Sequence, residues 1–169
     1  MEAREKDEPF LRRAIALACE ARGKGDLPFG AVLVFNGEIV HEATDRSLTL
    51  SDPTFHAELS VISEYCRIHR LFRLTGHTLY SSAEPCPMCA GAIFWSRLSR
   101  LIYSVSQEKL RALSGGRPRP PCASIVNTDR QCVEVIGPLL QDEGLAVFEG
   151  FVFGRKAERH AALFARPGG

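Results

Sequence analysis

The stretch that decides the fold is "FGAVLVFNGEIVHEAT", residues 29–44. Two runs rich in apolar and β-branched residues flank the dipeptide Asn36-Gly37. A two-residue turn between antiparallel strands needs positive φ at its central positions, which Asn and Gly adopt most readily. The stretch therefore predicts a β-hairpin.

The rest of the chain alternates between strand-like and helix-like patterns. Ahead of the hairpin, Asp7 and Pro9 predict the start of an amphipathic helix that ends at "GKGD". Behind it come short apolar strands at 77–82, 100–105 and 132–137, and helices at about 55–70, at 87–97 and from 107. Most of 139–165 is also predicted to be helical, with Gly144, Gly150 and Gly154 as candidate break points. This order predicts an α/β fold: a mixed sheet, antiparallel at one edge, with helices on both faces.

Length and composition limit the class of protein. The chain has 169 residues, 45% hydrophobic and 24% charged, with a formal net charge of +1. We expect one domain over residues 1–169, without the basic field of a dedicated nucleic-acid binder. No apolar run approaches the roughly 18 residues of a membrane span, and the N-terminus is charged and contains acids. Six cysteines without an export signal favour reduced thiols or metal ligands, and a cytoplasmic location.

Two short motifs carry the chemistry. "DPTFHAEL", residues 52–59, contains His56 and Glu58, and "EPCPMCAGAIFWSR", residues 84–97, contains Cys86 and Cys89. The two cysteines stand three residues apart at the start of a predicted helix, where the helix dipole favours the thiolate form that binds metals. Together with His56 they suit tetrahedral zinc, and three protein ligands leave the fourth position for water.

Glu58 is the natural proton carrier for such a water. Residues two apart in a helix point about 200° away from each other, because each residue turns by about 100°. His56 and Glu58 can therefore face one water only if His56 precedes the helix with non-helical angles. The loop that ends at Pro53 and Thr54 allows this conformation.

Three other interpretations of the motifs remain open on the residues alone. A C-P-x-C that opens a helix after a strand also describes a dithiol redox site. A structural zinc site would need a fourth ligand, for which Cys122 or His41 is available. His56 and Glu58 can also be ordinary residues at a helix start.

H-A-E followed by P-C-x-x-C resembles the signature of zinc-dependent nucleobase deaminases. The resemblance covers most of residues 28–105 and is closest to the guanine deaminase and tRNA-adenosine deaminase branch of the cytidine deaminase superfamily. It implies a three-layer α/β/α sandwich around a mixed five-stranded sheet, assembled as a homodimer or higher oligomer.

The same resemblance implies the roles of the motif residues. His56, Cys86 and Cys89 match the zinc ligands, and Glu58 matches the proton shuttle. Zinc-bound hydroxide would attack a ring carbon that carries an amino group. Glu58 would then protonate the departing nitrogen, and ammonia would leave.

The substrate pocket follows less directly from the resemblance. Phe29, Phe55 and Trp95 are candidates for the walls that hold the ring flat. The backbone N–H of Ala57 is expected to meet a ring acceptor, and a backbone carbonyl within residues 82–84 to meet the amino group.

The chain departs from this branch at two places. Asp45 stands where relatives usually carry Asn, and an ionised Asp accepts hydrogen bonds but cannot donate them. If Asp45 lines the pocket, the substrate should offer N–H groups there, or Asp45 must be protonated; otherwise it caps a turn. The region after the fourth strand lacks the acid that grips guanine in bacterial guanine deaminases. Glu84 is expected to serve local structure rather than chemistry.

The sequence thus predicts a zinc-dependent hydrolytic deaminase of a free nucleobase or related small heterocycle, guanine-deaminase-like. The alternatives are a tRNA-adenosine deaminase, a cytosine deaminase, and a redox or structural zinc protein. The tRNA alternative depends on a basic stretch with one acid, Glu108, and these bases: Arg97, Arg100, Lys109, Arg111, Arg117 and Arg119. The C-terminal segment has no matching basic run, which favours the small base.

Overall fold

The structure is a computed structural model that describes residues 2–128 and 132–154. Its elements are α1 (Glu2–Gly23), β1 (Gly30–Phe35), β2 (Glu38–Thr44), α2 (Ala57–His69), β3 (Thr78–Ala83), α3 (Pro87–Trp95), β4 (Arg100–Val105), α4 (Gln107–Ser114), α5 (Cys122–Val126), β5 (Glu134–Ile136) and α6 (Gln141–Ala146). None of the helices in these ranges is long and apolar enough to cross a bilayer.

The five strands form one mixed sheet in the order β2-β1-β3-β4-β5. β1 pairs antiparallel with β2 and with β3, whereas β3, β4 and β5 run parallel. At the hairpin, Phe35 pairs with Glu38, and Asn36 and Gly37 have φ of 51° and 79°. The predicted hairpin and the mixed sheet with one antiparallel edge are both confirmed.

Helices cover both faces of the sheet. Because side chains alternate along a strand, Ala31 and Leu33 of β1 pack with α2, α3 and α5. Val32 and Val34 pack on the other face, with α1 and the segment after α6. The three-layer α/β/α sandwich is therefore confirmed.

The N-terminal helix starts earlier than predicted. It begins at Glu2, so Pro9 lies inside it rather than at its first turn. The residues before Pro9 are mostly good helix formers. Asp7 does not cap the helix: its carboxylate accepts hydrogen bonds from the Tyr80 hydroxyl at 2.6 Å and from the Arg100 guanidinium at 3.1 Å.

The C-terminal prediction is wrong within the described residues. Only Gln141–Ala146 is helical there, and 155–165 lie outside the described residues. Gly150 has a φ of 66°, which a continuing helix does not allow. The short helix α5 was not predicted, because five residues are too few to show helical periodicity.

Candidate active site

The three predicted metal ligands converge at the N-termini of two helices. His56 is the N-cap of α2 with φ −74° and ψ 152°, and Cys86 is the N-cap of α3 with φ −69° and ψ 167°. Cys89 lies in the first turn of α3 and is fully buried. The ligand atoms of the three residues all lie within 4.8 Å of one another.

Their spacing fits a zinc ion. His56 Nδ1 lies 3.6 Å from Cys86 Sγ and 3.8 Å from Cys89 Sγ. A tetrahedral zinc with Zn–N of about 2.0–2.1 Å and Zn–S of about 2.3 Å requires about 3.6 Å between its nitrogen and sulfur ligands. Two sulfurs and one imidazole nitrogen are also the donor set that zinc prefers.

A fourth protein ligand is not found among the described residues. The group contains only His56, Cys86 and Cys89 within the ranges 2–128 and 132–154. His41 instead pairs with Glu64 at 3.0 Å, and Cys122 is buried outside the group. The geometry therefore supports a site with an open position rather than a closed structural one.

Hydrogen bonds among the three candidate ligands shift the pKa values of Cys86 and His56. A hydrogen bond from Cys89, followed by one from His56, lowers the pKa of the Cys86 thiol to about 4. The same Cys86 sulfur raises the pKa of His56 to about 9. Zinc takes thiolates and neutral imidazole, so its binding would release the shared protons.

Glu58 lies next to these ligands in the first turn of α2. Its side chain is buried, Oε2 lies 3.7 Å from Cys89 Sγ, and Oε1 accepts a hydrogen bond from Ser81 Oγ at 3.3 Å. Burial raises the pKa of its carboxyl to about 7. The prediction that His56 precedes the helix with non-helical angles is confirmed, and this conformation brings His56 and Glu58 to one centre.

One large cavity opens over this centre. It has a volume of about 1190 Å³, and His56, Cys86 and Glu58 line it. Phe29 lines it as predicted, and Phe153 joins it from the chain after α6. Sequence reasoning missed Phe153, because a single aromatic residue in an irregular segment belongs to no periodic pattern.

The other two predicted wall residues, Phe55 and Trp95, do not line the cavity. Phe55 packs under the guanidinium of Arg46, which lies 4.7 Å from its ring centroid. Ala57, predicted to contact a ring acceptor through its backbone N–H, is fully buried and is not among the lining residues, so this contact stays a prediction. Trp95 is 72% exposed. Because it ends α3 six residues after Cys89, it lies about 9 Å further along the helix axis.

Asp45 lies outside the cavity and contacts Ser47, one of its lining residues. It is fully buried, and Oδ1 accepts hydrogen bonds from the backbone N–H of Ser47 at 2.9 Å and from its hydroxyl at 2.6 Å. Ser47 lines the cavity, whereas Asp45 does not. Asp45 Oδ2 meets no hydrogen-bond donor among the described residues, and burial raises the pKa of this carboxyl. Asp45 thus caps a turn, and its contact with substrate stays a prediction.

Glu84, the residue after β3, hydrogen-bonds to the starts of α4 and α5. Its Oε2 accepts a hydrogen bond from the Gln107 backbone N–H and its Oε1 one from the Cys122 backbone N–H, both at 3.0 Å. The Gln107 side-chain amide in turn donates to the Glu84 carbonyl at 2.8 Å. The Glu84 side chain therefore serves local structure, as expected. Of residues 82–84, Ala83 and Glu84 line the cavity, and the contact of a backbone carbonyl with a substrate amino group stays a prediction.

Residues 4–105 match the model of the cytidine and deoxycytidylate deaminase zinc-binding region. This match covers more than half of the chain and includes both motifs. The chain therefore belongs to the cytidine and deoxycytidylate deaminase family. The His56, Cys86 and Cys89 group falls inside the family's zinc-binding region.

Relatives with different substrates are similarly close. The guanine deaminase of Bacillus subtilis is 45% identical over 57% of this chain, and the match spans 63% of that protein, less than two thirds of its length. A probable cytosine deaminase of Schizosaccharomyces pombe is 36% identical over 89% of this chain and 94% of its own length. A structure from a study of A-to-I editing by tRNA:A34 deaminases is 31% identical, with a TM-score of 0.68 over 83% of this chain and 99% of that one.

Proposed function

We propose that this protein hydrolyses the exocyclic amino group of a nucleobase-like heterocycle to a carbonyl and releases ammonia. The observation that carries the proposal is the juxtaposition of His56, Cys86 and Cys89 with the buried carboxyl of Glu58 in one cavity. His56 and the two cysteines would hold zinc. When bound, zinc acts as a Lewis acid that lowers the pKa of water to about 7.

Glu58 moves the protons in this proposal. The reaction adds water across a C–N bond: the oxygen forms a bond to the ring carbon, and the amino nitrogen leaves as ammonia. Glu58 takes one proton from the water and delivers it to the departing nitrogen. A carboxyl with a pKa of about 7 can both accept and return a proton near neutral pH.

Two neighbours position Glu58 and the ring. The Ser81 hydroxyl holds one carboxylate oxygen of Glu58 and leaves the other directed towards the Cys89 sulfur. Phe29 offers an apolar surface against which a flat ring can pack.

A guanine-like small heterocycle is the first candidate substrate, since the similarity to a guanine deaminase reaches 45% identity. A tRNA adenosine is the second candidate, because the tRNA-deaminase structure aligns with most of this chain and residues 97–119 are basic. A cytosine-type ring fits the S. pombe relative. The homodimer and the cytoplasmic location stay predictions.

Ammonia release from free bases, nucleosides and triazines, measured with the Glu58→Gln variant beside the wild type, tests the proposal. We expect the wild-type protein to release ammonia and to contain one zinc ion per chain, which stays bound when the thiols are reduced. The variant should keep its zinc and lose about 10²–10⁴-fold in turnover, because it lacks the proton carrier but no ligand. Glu38→Gln, an exposed carboxyl on β2, serves as the matched control. Turnover retained in Glu58→Gln, or a protein without zinc, would refute the proposal.

A further inference from the structure

We propose that Arg111, Arg117 and Arg119 form an anion-binding subsite on the wall of the active-site cavity, and that it holds a phosphate group of the substrate. This inference depends on the proposed function, since it places the reacting ring of the same molecule at the zinc end of the cavity. We call these three residues the arginine cluster.

The arginine cluster lies within one short segment. Arg111 is in α4, and Arg117 and Arg119 follow it in the loop before α5. All three are exposed, and all three line the cavity that also contains His56 and Glu58. α4 ends at Ser114, and its C-cap Gly115 has φ 65°, so the chain turns there. The two arginines that follow line the same cavity as Arg111.

Other arginines of the protein are paired with acids. The guanidinium of Arg12 binds Glu143, that of Arg13 binds Glu42, and that of Arg100 binds Asp7 and Glu134. In contrast, no acid among the described residues forms an ion pair with the arginine cluster.

The acids that line the cavity form no ion pair with the arginine cluster. Glu58 and Glu84 are the acidic residues in the described lining. Both oxygens of Glu84 accept backbone N–H groups, and Glu58 is buried beside the Cys89 sulfur. Three positive charges therefore face the cavity in a chain whose net charge is only +1. Such a concentration of one sign in a cleft attracts a ligand of the opposite sign.

The size of the cavity points to more than a bare ring. Its volume of about 1190 Å³ exceeds the about 300–1,000 Å³ of pockets that hold drug-sized ligands, and a free base is smaller than such a ligand. Phe29 and Phe153 supply apolar wall, while the arginine cluster and the Ser114 hydroxyl supply donors. This division suits a molecule with a flat ring and a separate anionic group.

Phosphate is the anion that this donor set matches best. Guanidinium groups bind phosphate oxygens through paired, charge-assisted hydrogen bonds. The phosphate can belong to a mononucleotide or to a nucleic-acid strand, since both present the same oxygens. The experiment below separates these two sources.

Binding to the zinc-loaded, full-length Glu58→Gln protein, measured by calorimetry, tests the subsite without turnover. The probes are guanosine, cytidine and adenosine, their 5′-monophosphates, and a short RNA stem-loop. At least one monophosphate should bind about tenfold or more tightly than its nucleoside, because a charge-assisted contact of this kind has a tenfold or larger effect. Replacing all three cluster arginines with Ala should abolish that ratio while the zinc content and the unfolding midpoint stay unchanged.

Arg73→Ala is the matched control, since Arg73 is exposed and outside the cavity lining. It should keep the preference for phosphate. If the stem-loop binds more tightly than every monophosphate and this advantage needs the cluster, the phosphate comes from nucleic acid. The proposal is overturned if nucleoside and monophosphate bind equally, if no phosphate-bearing probe binds, or if the triple variant keeps the preference.

Failure of this inference is distinguishable from failure of the proposed function. If the wild type releases ammonia equally well from nucleosides and from their monophosphates, the deaminase proposal is supported and the anion subsite is refuted. Phosphate preference without ammonia release from any probe would support the subsite and refute the deaminase proposal.

Discussion

Glu84→Ala is the substitution whose effect can be worked out most directly from the structure. Glu84 is only 8% exposed, and its two carboxylate oxygens accept the backbone N–H groups of Gln107 and Cys122 at 3.0 Å each. These N–H groups belong to the first residues of α4 and α5, where the helix has no internal acceptor for them. One side chain thus fixes the starts of both helices.

The magnitude follows from the two hydrogen bonds. A hydrogen bond to a charged group contributes about 1.5–3 kcal/mol, so the loss of both should lower the free energy of unfolding by about 3 kcal/mol or more. Glu84→Gln keeps one acceptor oxygen and loses the other. Its NH₂ group is a donor and cannot serve the second backbone N–H, and the neutral oxygen accepts more weakly than a carboxylate, so Glu84→Gln should recover less than half of that loss.

Urea unfolding of both variants at a fixed zinc concentration measures these values, with Glu38→Ala on the exposed edge strand as the control. The control should stay within about 0.5 kcal/mol of the wild type. Glu84 contacts the first residues of α4 and α5 and is not a candidate zinc ligand, so zinc should remain bound in both variants. Any fall in ammonia release should come from a less ordered cavity wall. A loss below about 1 kcal/mol for Glu84→Ala would refute the assignment, because it would mean that the two N–H groups find other partners.

Two further predictions concern stability elsewhere in the fold. Gly30→Ala places a Cβ 2.5 Å from both the Ala14 carbonyl oxygen and Leu17 Cβ, so unfolding in urea should show a loss of about 1–3 kcal/mol, whereas Gly23→Ala, with open space around it, should be nearly neutral. Burial raises the pKa of Asp45, so the folded protein binds that proton more tightly than the unfolded chain and loses stability as pH rises above about 3.9, the unfolded-state value. Asp45→Asn does not titrate, and its stability relative to wild type in urea should therefore increase from about pH 4 to pH 8; a pH-independent difference would refute the prediction, because it would mean that the carboxyl has the same pKa in the folded and unfolded states.

The exposed position of Trp95 changes what a substrate experiment should address. Predicted as a pocket wall, it is largely exposed at the end of α3, whereas Phe153 lines the cavity with Phe29. Substitutions that probe ring binding within one chain therefore belong at Phe29 and Phe153.

The sequence alone determined the local features of this protein. Asn36 and Gly37 specified the hairpin because few other residues accept positive φ in succession. The spacing of Cys86 and Cys89, together with the loop before His56, specified three candidate metal ligands at two helix starts. One helical turn and one non-helical residue are local geometry.

Tertiary structure decided what depends on distant segments meeting. Phe153 reaches the cavity from the segment after α6. The Glu84 carboxylate accepts hydrogen bonds from the first backbone N–H groups of α4 and α5. The three residues of the arginine cluster line the same cavity as His56 and Glu58 only because distant segments of the chain come together there. Neither periodicity nor spacing encodes such meetings, because they are set by how the helices pack on the sheet.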